Sequence, residues 1–216
     1  MPKSANDNPF DQETWELLPT YFENLPHPVR IHIWGDPEAS QGEKEAKRLI
    51  FTIADRFAQI DAAVFPRRIN YPYYPVIGIF GYEEGEPRDF GARIIGLPSG
   101  LQITSLIAAV QAVAFQGGSL EAKTRVQLKG LKKEVRLELL TAADDEAGVV
   151  LAKTLFGLAA SSPYIRSFLI MADVFPVVSV RYSAAHLPHT VINGRSHVEG
   201  VISEGEMLQK IAAAVR

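Results

Sequence analysis

The chain contains no cysteine. Without a thiol it can form no disulfide, no thiolate nucleophile, no cysteine-ligated zinc site and no cysteine-ligated iron–sulfur cluster. Because these chemistries account for many small redox proteins and metal-stabilised domains, this absence is the firmest constraint that the sequence provides. It leaves the 216 residues to fold and function without sulfur chemistry at cysteine.

Long apolar runs and a strong net charge are also missing. The longest apolar runs, such as residues 106–110 and 149–152, fall far short of the ~20 residues that cross a bilayer. A net charge of −3 gives no electrostatic reason to bind nucleic acid or an anionic membrane surface. Residues 1–10 lack the apolar core of a signal peptide. We therefore expect a cytoplasmic protein with no membrane insertion and no nucleic-acid partner.

The composition that remains, 47% hydrophobic and 22% charged, is typical of a globular domain, and its periodicity predicts alternating helices and strands. In the first half we predict a helix, a strand, a helix, three strands and a helix, over residues 11–25, 29–34, 43–57, 60–65, 76–80, 89–95 and 101–116. In the second half we predict helices over residues 119–133, 147–160, 174–181 and 203–215. We predict strands over residues 135–140, 166–172, 189–193 and 197–201.

The second half of the chain repeats the first. The matching segments are VRIHIW (29–34) with VRLELL (135–140), EAKRL (45–49) with LAKTL (151–155), and IAAV (107–110) with IAAA (211–214). A βαβ crossover followed by a ββα hairpin is typical of a thioredoxin-like fold. We therefore predict an α/β protein of two tandem thioredoxin-like domains, each a central mixed sheet flanked by helices. The predicted boundaries are 1–10 for a flexible tail, 11–118 for the first domain and 119–216 for the second.

The segment 134–153 combines a strand, an acidic loop and an apolar helix, and it contains the most suggestive polar residues. A loop that enters a helix N-terminus stabilises a developing anion through the free N–H groups. Here the loop offers Asp144, Asp145 and Glu146, with Thr141 as its one nucleophile. Paired carboxylates can act as acid and base, but carboxylates in a first helical turn also stabilise the helix by about 0.3–1 kcal/mol each. Both interpretations remain open at this point.

Histidines are few, and two of them flank Pro188 in the sequence HLPH. His186 and His189, together with Asp145, are residue types that bind a transition metal. The spacing fixes no third ligand, however, so we predict no metal and no cofactor. His32 lies in the middle of an apolar strand, and we expect a half-buried histidine there rather than a catalytic base.

Four segments carry a resemblance to a known family. They are YFENLPHPVRIHIW (21–34), RDFGARIIGLPSG (88–100), KEVRLELLT (133–141) and LPHTVING (187–194). In order and spacing they resemble the tandem glutaredoxin-like protein disulfide oxidoreductases and the related N-terminal domain of the flavoprotein subunit of alkyl hydroperoxide reductase. The resemblance extends from about residue 11 to residue 215 and implies the same double thioredoxin-like fold.

The resemblance also implies where the family's two redox motifs fall. They correspond to residues 40–43 (SQGE) and 145–148 (DEAG), so Ser40 and Glu43, and Asp145 and Gly148, replace the paired cysteines. The family's Cys-x-x-Cys chemistry needs a thiolate at the helix N-terminus and a second thiol to resolve the mixed disulfide. We therefore expect no disulfide oxidoreductase activity.

A second feature that the resemblance implies is a pair of cis-prolines, Pro75 and Pro188, beside the former redox sites. In the family, this bend exposes strand-edge backbone that binds an extended peptide by β-pairing. The residues that we predict to line the two grooves are Trp34, Asp36, Tyr74, Pro75, Asp144, Glu146, His186, Leu187, Pro188 and His189.

The predicted function is that of a redox-inactive protein that binds a polypeptide partner, as an adaptor, a chaperone-like factor or an accessory subunit. Some cysteine-free thioredoxin-like proteins resemble this in being maturation chaperones for hydrogenase subunits, which is an analogy of fold alone. One alternative is a ligand-binding protein or enzyme with altered chemistry in the grooves, which predicts shifted carboxylate or histidine pKa values there. Another is a self-assembling scaffold and homo-oligomer, which predicts an exposed apolar patch on a sheet edge or around Trp15.

Overall fold

The computed structural model describes residues 8–215, so most of the predicted N-terminal tail lies outside the described residues. The first half contains α1 (Gln12–Phe22), β1 (Val29–Trp34), α2 (Gln41–Arg56), β2 (Ile60–Phe65), β3 (Val76–Glu83), β4 (Glu86–Ile95) and α3 (Gln102–Ala114). The second half contains α4 (Ala122–Leu128), β5 (Val135–Thr141), α5 (Glu146–Ser161), β6 (Ile165–Met171), α6 (Pro176–Tyr182), β7 (His189–Ile192), β8 (Ser196–Glu199) and α7 (Glu204–Ala214). The predicted α/β order is confirmed.

The eight strands form one mixed sheet in the order β2-β1-β3-β4-β6-β5-β7-β8. Each half contributes four strands, and the parallel pair β4–β6 joins the halves into a continuous sheet. Strands β1 and β2 are parallel, as are β5 and β6, while β3 and β7 run antiparallel to β1 and β5. It follows that β1, β2, β4, β5 and β6 all point the same way and that their carboxyl ends meet at one edge of the sheet.

Helix α1 shows how the chain accommodates a proline within a helix. Pro19 lies inside α1, and the helix continues through it. Proline has no N–H to donate to the carbonyl of Trp15, one helical turn earlier. Arg56 Nη1 donates to that carbonyl instead, at 2.5 Å, and its guanidinium lies 3.9 Å from the centre of the Trp15 ring.

Helix α4 is much shorter than predicted. The sequence predicts a helix over residues 119–133, but α4 has only seven residues, and no side chain caps its N-terminus. Uncapped N–H groups favour fraying at the start of a short helix, and Gly130 follows soon after its end. The prediction is wrong in extent because a basic amphipathic pattern does not fix where a helix begins and ends.

The two faces of the sheet are covered differently. On the helical face, α1, α2, α3, α4, α5 and α7 contribute to one large apolar core. On the opposite face, which we call the open face, α6, the residues that flank it and the loop of residues 66–75 pack on the strands, over a smaller core that includes Trp34, Phe80 and Phe168. No helix in the described part of the chain is both long and apolar enough to cross a membrane.

Candidate functional site

The strand register brings both predicted grooves to the same edge of the sheet. Trp34 pairs with Val76, so Pro75 lies opposite the end of β1, where the chain leads into α2. Leu140 pairs with His189, so Pro188 lies opposite the end of β5, where the chain leads into α5. Both Tyr74–Pro75 and Leu187–Pro188 peptide bonds are cis. We call these the first groove (Trp34, Asp36, Ser40, Glu43, Tyr74 and Pro75) and the second groove (Asp144, Asp145, Glu146, Gly148, His186, Leu187, Pro188 and His189).

In the first groove, Ser40 and Glu43 form the start of α2. The Ser40 side chain is the N-cap and accepts a hydrogen bond from the Glu43 amide at 3.3 Å. Its hydroxyl donates to Glu43 Oε1 at 2.9 Å. The Asp36 amide donates to Glu43 Oε2 at 2.6 Å. Ser40 and Glu43, where the resemblance implies the first redox motif, therefore serve as hydrogen-bonded groups at the start of a helix.

Glu43 is also the centre of an ion pair that the sequence did not predict. Its side chain is 1% exposed, and Arg67 binds both carboxylate oxygens, with Nε at 3.0 Å from Oε2 and Nη2 on Oε1. Burial raises the pKa of Glu43, but the hydrogen bonds from Arg67, the Asp36 amide and Ser40 outweigh it and hold the pKa below its ordinary value. Glu43 is therefore a buried carboxylate that remains ionised near neutral pH.

Aromatic residues of the loop 66–75 fill the remaining space of the first groove. The Tyr74 ring lies 5.1 Å from the Arg67 guanidinium, and its hydroxyl donates to the carbonyl of Arg68. The Tyr73 ring stacks on Phe175 of the second half with centroids 4.8 Å apart. The side chains of the first groove therefore contact one another, and Tyr74 is half-buried where Leu187, its counterpart in the second groove, is exposed.

In the second groove, Asp145 and Gly148 form the start of α5 in the same way. Asp145 is the N-cap: Oδ1 accepts from the Gly148 amide at 2.9 Å, and Oδ2 accepts from Thr141 Oγ1 at 2.8 Å. A Cβ on residue 148 would lie 2.1 Å from Thr141 Oγ1, which explains glycine at this position. Gln102 Nε2 donates to the carbonyls of Ala142 and Asp145, both at 2.9 Å, and so fixes the loop.

The second groove is open where the first is filled. Leu187 is 37% exposed, and His186, Asp144 and Glu146 are exposed around it. Among the described residues, none makes a backbone hydrogen bond with the N–H or C=O of Leu187, whereas the next carbonyl, that of Pro188, accepts from the Gly200 amide at 3.0 Å. The second groove therefore combines accessible side chains with unpaired backbone groups.

The structure separates the histidines that flank Pro188. His186 is exposed in the loop, while His189 is 2% exposed on the open face of the sheet. Its Nε2 lies 2.9 Å from Nδ1 of His197, and burial, then the neighbouring His197, lower the pKa of His189. Within residues 8–215 no group of three or more His, Cys, Asp or Glu side chains is arranged to hold a metal ion. The Asn193-Gly194 turn, whose hairpin pairs Val191 with His197, was the signal that could have identified this histidine partner.

The largest pKa shift lies outside both grooves, at His32 on the open face. Burial, and then the positive charges of Arg30, Arg93 and Arg68, lower the pKa of His32 to about 4. The ring stacks on Phe80 with centroids 4.1 Å apart. His32 is therefore neutral near neutral pH and belongs to an aromatic cluster rather than to a groove, as expected of a half-buried histidine.

Comparison with solved structures identifies the fold. The NTD_N/C domain of the alkylhydroperoxide reductase AhpF from Enterococcus faecalis superposes with a TM-score of 0.83 at 18% sequence identity, over 94% of this chain and 99% of that one. A protein disulfide oxidoreductase from Aeropyrum pernix superposes with a TM-score of 0.82 at 19% identity, over 98% of both chains.

At these identities the likeness establishes the fold alone. No protein-family model matches the chain, and no curated protein matches its sequence. The two structural neighbours are redox proteins by name, whereas this chain has no cysteine anywhere. The resemblance read from the sequence is confirmed as one of fold: the chain has the tandem thioredoxin-like architecture of these oxidoreductases in a cysteine-free form.

Proposed function

We propose that the chain is a redox-inactive thioredoxin-like protein that binds an extended polypeptide partner in the second groove, as an adaptor, a chaperone-like factor or an accessory subunit. The observation that carries the proposal is the difference between the grooves. In the first groove, Tyr74 is half-buried beside the Glu43–Arg67 pair, whereas Leu187 in the second is exposed. The backbone N–H and C=O of both residues have no backbone partner among the described residues, so the exposure of the side chain is what distinguishes the two grooves.

The residues at the former redox positions argue against retained thiol chemistry. Disulfide exchange requires a thiolate that attacks and a thiol that resolves, and the chain contains neither. Ser40 and Asp145 have their side chains engaged in capping α2 and α5. The chain therefore combines the thioredoxin-like fold and its grooves with the absence of the groups that disulfide exchange requires.

The backbone of Leu187 is suited to β-pairing with an extended segment. Its N–H and C=O have no backbone partner among the described residues, so an added strand would gain two hydrogen bonds without breaking any within the protein. Each such bond contributes about 0.5–1.5 kcal/mol net, and strand addition of this kind relies on side-chain pockets for specificity.

The surroundings of Leu187 define the chemistry of the partner. Asp144 and Glu146 are exposed, and Asp173, whose Oδ2 accepts from the Ala143 amide at 3.0 Å, adds a third carboxylate beside the loop. Val174, next to Asp173, is 50% exposed. An extended segment with an apolar side chain flanked by lysine or arginine complements this combination of exposed apolar surface and negative charge.

The test is binding of extended peptides to the wild type and to matched variants. We expect Leu187→Lys to weaken binding of apolar-basic peptides at least tenfold, because it removes the apolar contact and introduces repulsion. Val126→Lys is the control, because Val126 is 67% exposed on α4, beside the C-terminal end of α5 and far from the groove at its N-terminal end. Fluorescence anisotropy over a peptide library measures both. Equal affinities for the two variants, or no peptide bound by the wild type, would refute the proposal.

A further inference from the structure

A third groove, lined by apolar residues, lies between α4 and α7, away from the first and second grooves at the strand ends. We call it the α4–α7 groove. It has a volume of about 530 Å³. Its apolar lining comprises Leu128, Leu131, Leu208, Ile211, Ala212 and Val215. None of the residues of the first or second groove lines it, so the proposed peptide-binding function does not account for it.

The internal repeat provides a counterpart of this groove in the first half. Helix α1 precedes β1 and packs against α3, and α4 stands in the same position before β5 and packs against α7. In the first half, the segment that contains α1 brings Phe10, Trp15 and Phe22 to the helical core. In the second half, residues 121–133 contain no aromatic residue. The segment that lines the α4–α7 groove therefore lacks the aromatic side chains that its counterpart in the first half buries.

The segment that begins with α4 and borders this groove is basic. Residues 122–133 carry five lysine and arginine side chains and no carboxylate. Two of the five, Lys123 and Arg125, lie on α4, and Lys123 lines the groove itself. One carboxylate, that of Glu121, lies at the end of the lining. An occupant that is apolar on one side and acidic on the other complements this surface.

Helix α1 of the chain itself has that chemistry. Residues 8–28 carry four Asp and Glu side chains and no lysine or arginine. Two large apolar side chains that α1 does not bury, Leu17 and Tyr21, are 45% and 37% exposed. They lie four residues apart and so project from the same side of the helix.

We propose that α1 of a second copy of this chain docks in the α4–α7 groove, with Leu17 and Tyr21 as apolar anchors and with the acidic residues of α1 facing the basic residues of segment 122–133. Each copy carries both the helix and the groove, so two copies related by a two-fold axis bury both pairs of surfaces reciprocally and form a closed dimer. This dimer is independent of peptide binding at Leu187, because it uses different residues on the helical face.

Adjacent alanines on α7 provide a matched pair of variants. Ala212 is exposed and lines the groove, whereas Ala213 is exposed and does not line it. Sedimentation velocity over a range of concentrations should show a dimer for the wild type. Ala212→Arg should raise the dissociation constant at least thirtyfold, and Ala213→Arg should leave it within threefold. Raising the ionic strength should weaken the dimer, because salt screens exposed charges.

A mixing experiment tests whether helix and groove meet each other. The Leu17→Asp variant retains an intact groove and Ala212→Arg retains an intact α1, so neither should dimerise alone. Mixed at equal concentration, they should form a heterodimer with one intact contact, which native mass spectrometry distinguishes by mass. A monomeric wild type at several hundred micromolar, a dimer that withstands Ala212→Arg, or a mixture without heterodimer would each overturn the proposal.

Discussion

Glu43 provides the most direct test of how the first groove is closed. Its carboxylate accepts hydrogen bonds from the Asp36 amide at 2.6 Å, from Ser40 Oγ at 2.9 Å and from Arg67 Nε at 3.0 Å. Replacing Glu43 with alanine removes these contacts, together with the one from Arg67 Nη2, and leaves a small void in a position that is 1% exposed. We expect the loop that carries Arg67 to lose its attachment to α2.

The size of the loss in unfolding free energy depends on which hydrogen-bond partners of Glu43 can be hydrated after the substitution. Arg67 is 46% exposed and Ser40 is exposed, so both can rehydrate, and the cost is well below that of breaking a fully buried pair. The Asp36 amide loses a hydrogen bond to a charged group, which contributes about 1.5–3 kcal/mol. We therefore expect Glu43→Ala to lower the unfolding free energy by about 2–4 kcal/mol, and Glu43→Gln, which keeps an acceptor for that amide, by about half as much.

The loss should depend on pH in a defined direction. The pKa of Glu43 is lowered in the folded protein, so its contribution is complete above the ordinary value of 4.5 and is lost as the pH falls through the folded pKa. The stability difference between wild type and Glu43→Gln should therefore be constant near pH 7 and should shrink below pH 4.5.

Urea unfolding, followed by tryptophan fluorescence, measures these differences. Glu45→Ala is the control, because Glu45 lies two residues further along α2 and its ion pair with Arg48 at 3.0 Å is on the surface, where such pairs contribute about 0–1 kcal/mol. If Glu43→Ala costs no more than Glu45→Ala, Glu43 does not hold the first groove closed.

Two further predictions concern packing and pH dependence on the open face. A Cβ on Gly78 would lie 2.5 Å from Cζ3 of the buried Trp34 ring, so Gly78→Ala should lower the free energy of unfolding by about 1–3 kcal/mol. Gly42 lies inside α2, and no described atom lies within 4 Å of an added Cβ, so Gly42→Ala should raise the free energy of unfolding by about 0.5 kcal/mol. Urea unfolding that ranks the two variants the other way would contradict the packing. The pKa of His32 falls to about 4 on folding, so its contribution to the free energy of unfolding should be complete above pH 6.5. That contribution should be lost as the pH falls toward 4, and the loss should be on the order of 1–2 kcal/mol after allowance for a partly exposed ring. His32→Gln should remove that part of the decrease, and an unchanged pH profile would show that His32 is not its source.

Much of the fold follows from local pattern. The alternation in VRIHIW predicts β1 over its observed range, because inward positions must be apolar and the others face the open side of the sheet. Ser203 and Glu206 predict the start of α7, and both halves of that capping box are present. The pairing of β4 with β6, which joins the halves into one sheet, has no comparable signal, since no hairpin or short crossover connects these strands.

The site was less predictable than the fold. The resemblance to the oxidoreductases implied that Ser40, Glu43, Asp145 and Gly148 lie at helix starts, and Ser40 and Asp145 are the N-caps of α2 and α5. Nothing in the sequence links Glu43 to Arg67, which lies 24 residues away in an irregular loop. Whether a groove is filled depends on such long-range side-chain contacts. The sequence therefore placed two grooves and did not reveal that one is closed.

The absence of native cysteine makes the central claim directly measurable, because a single introduced cysteine is the only thiol in the protein. We would place one at Leu187 and, in a second variant, at Asp36, whose backbone amide and not its side chain holds Glu43, attach a benzophenone crosslinker, and irradiate each with a permanently unfolded model polypeptide. An open second groove and a filled first groove predict efficient crosslinking from position 187 and little from position 36. Equal crosslinking from both positions, or crosslinking from position 36 alone, would contradict the account.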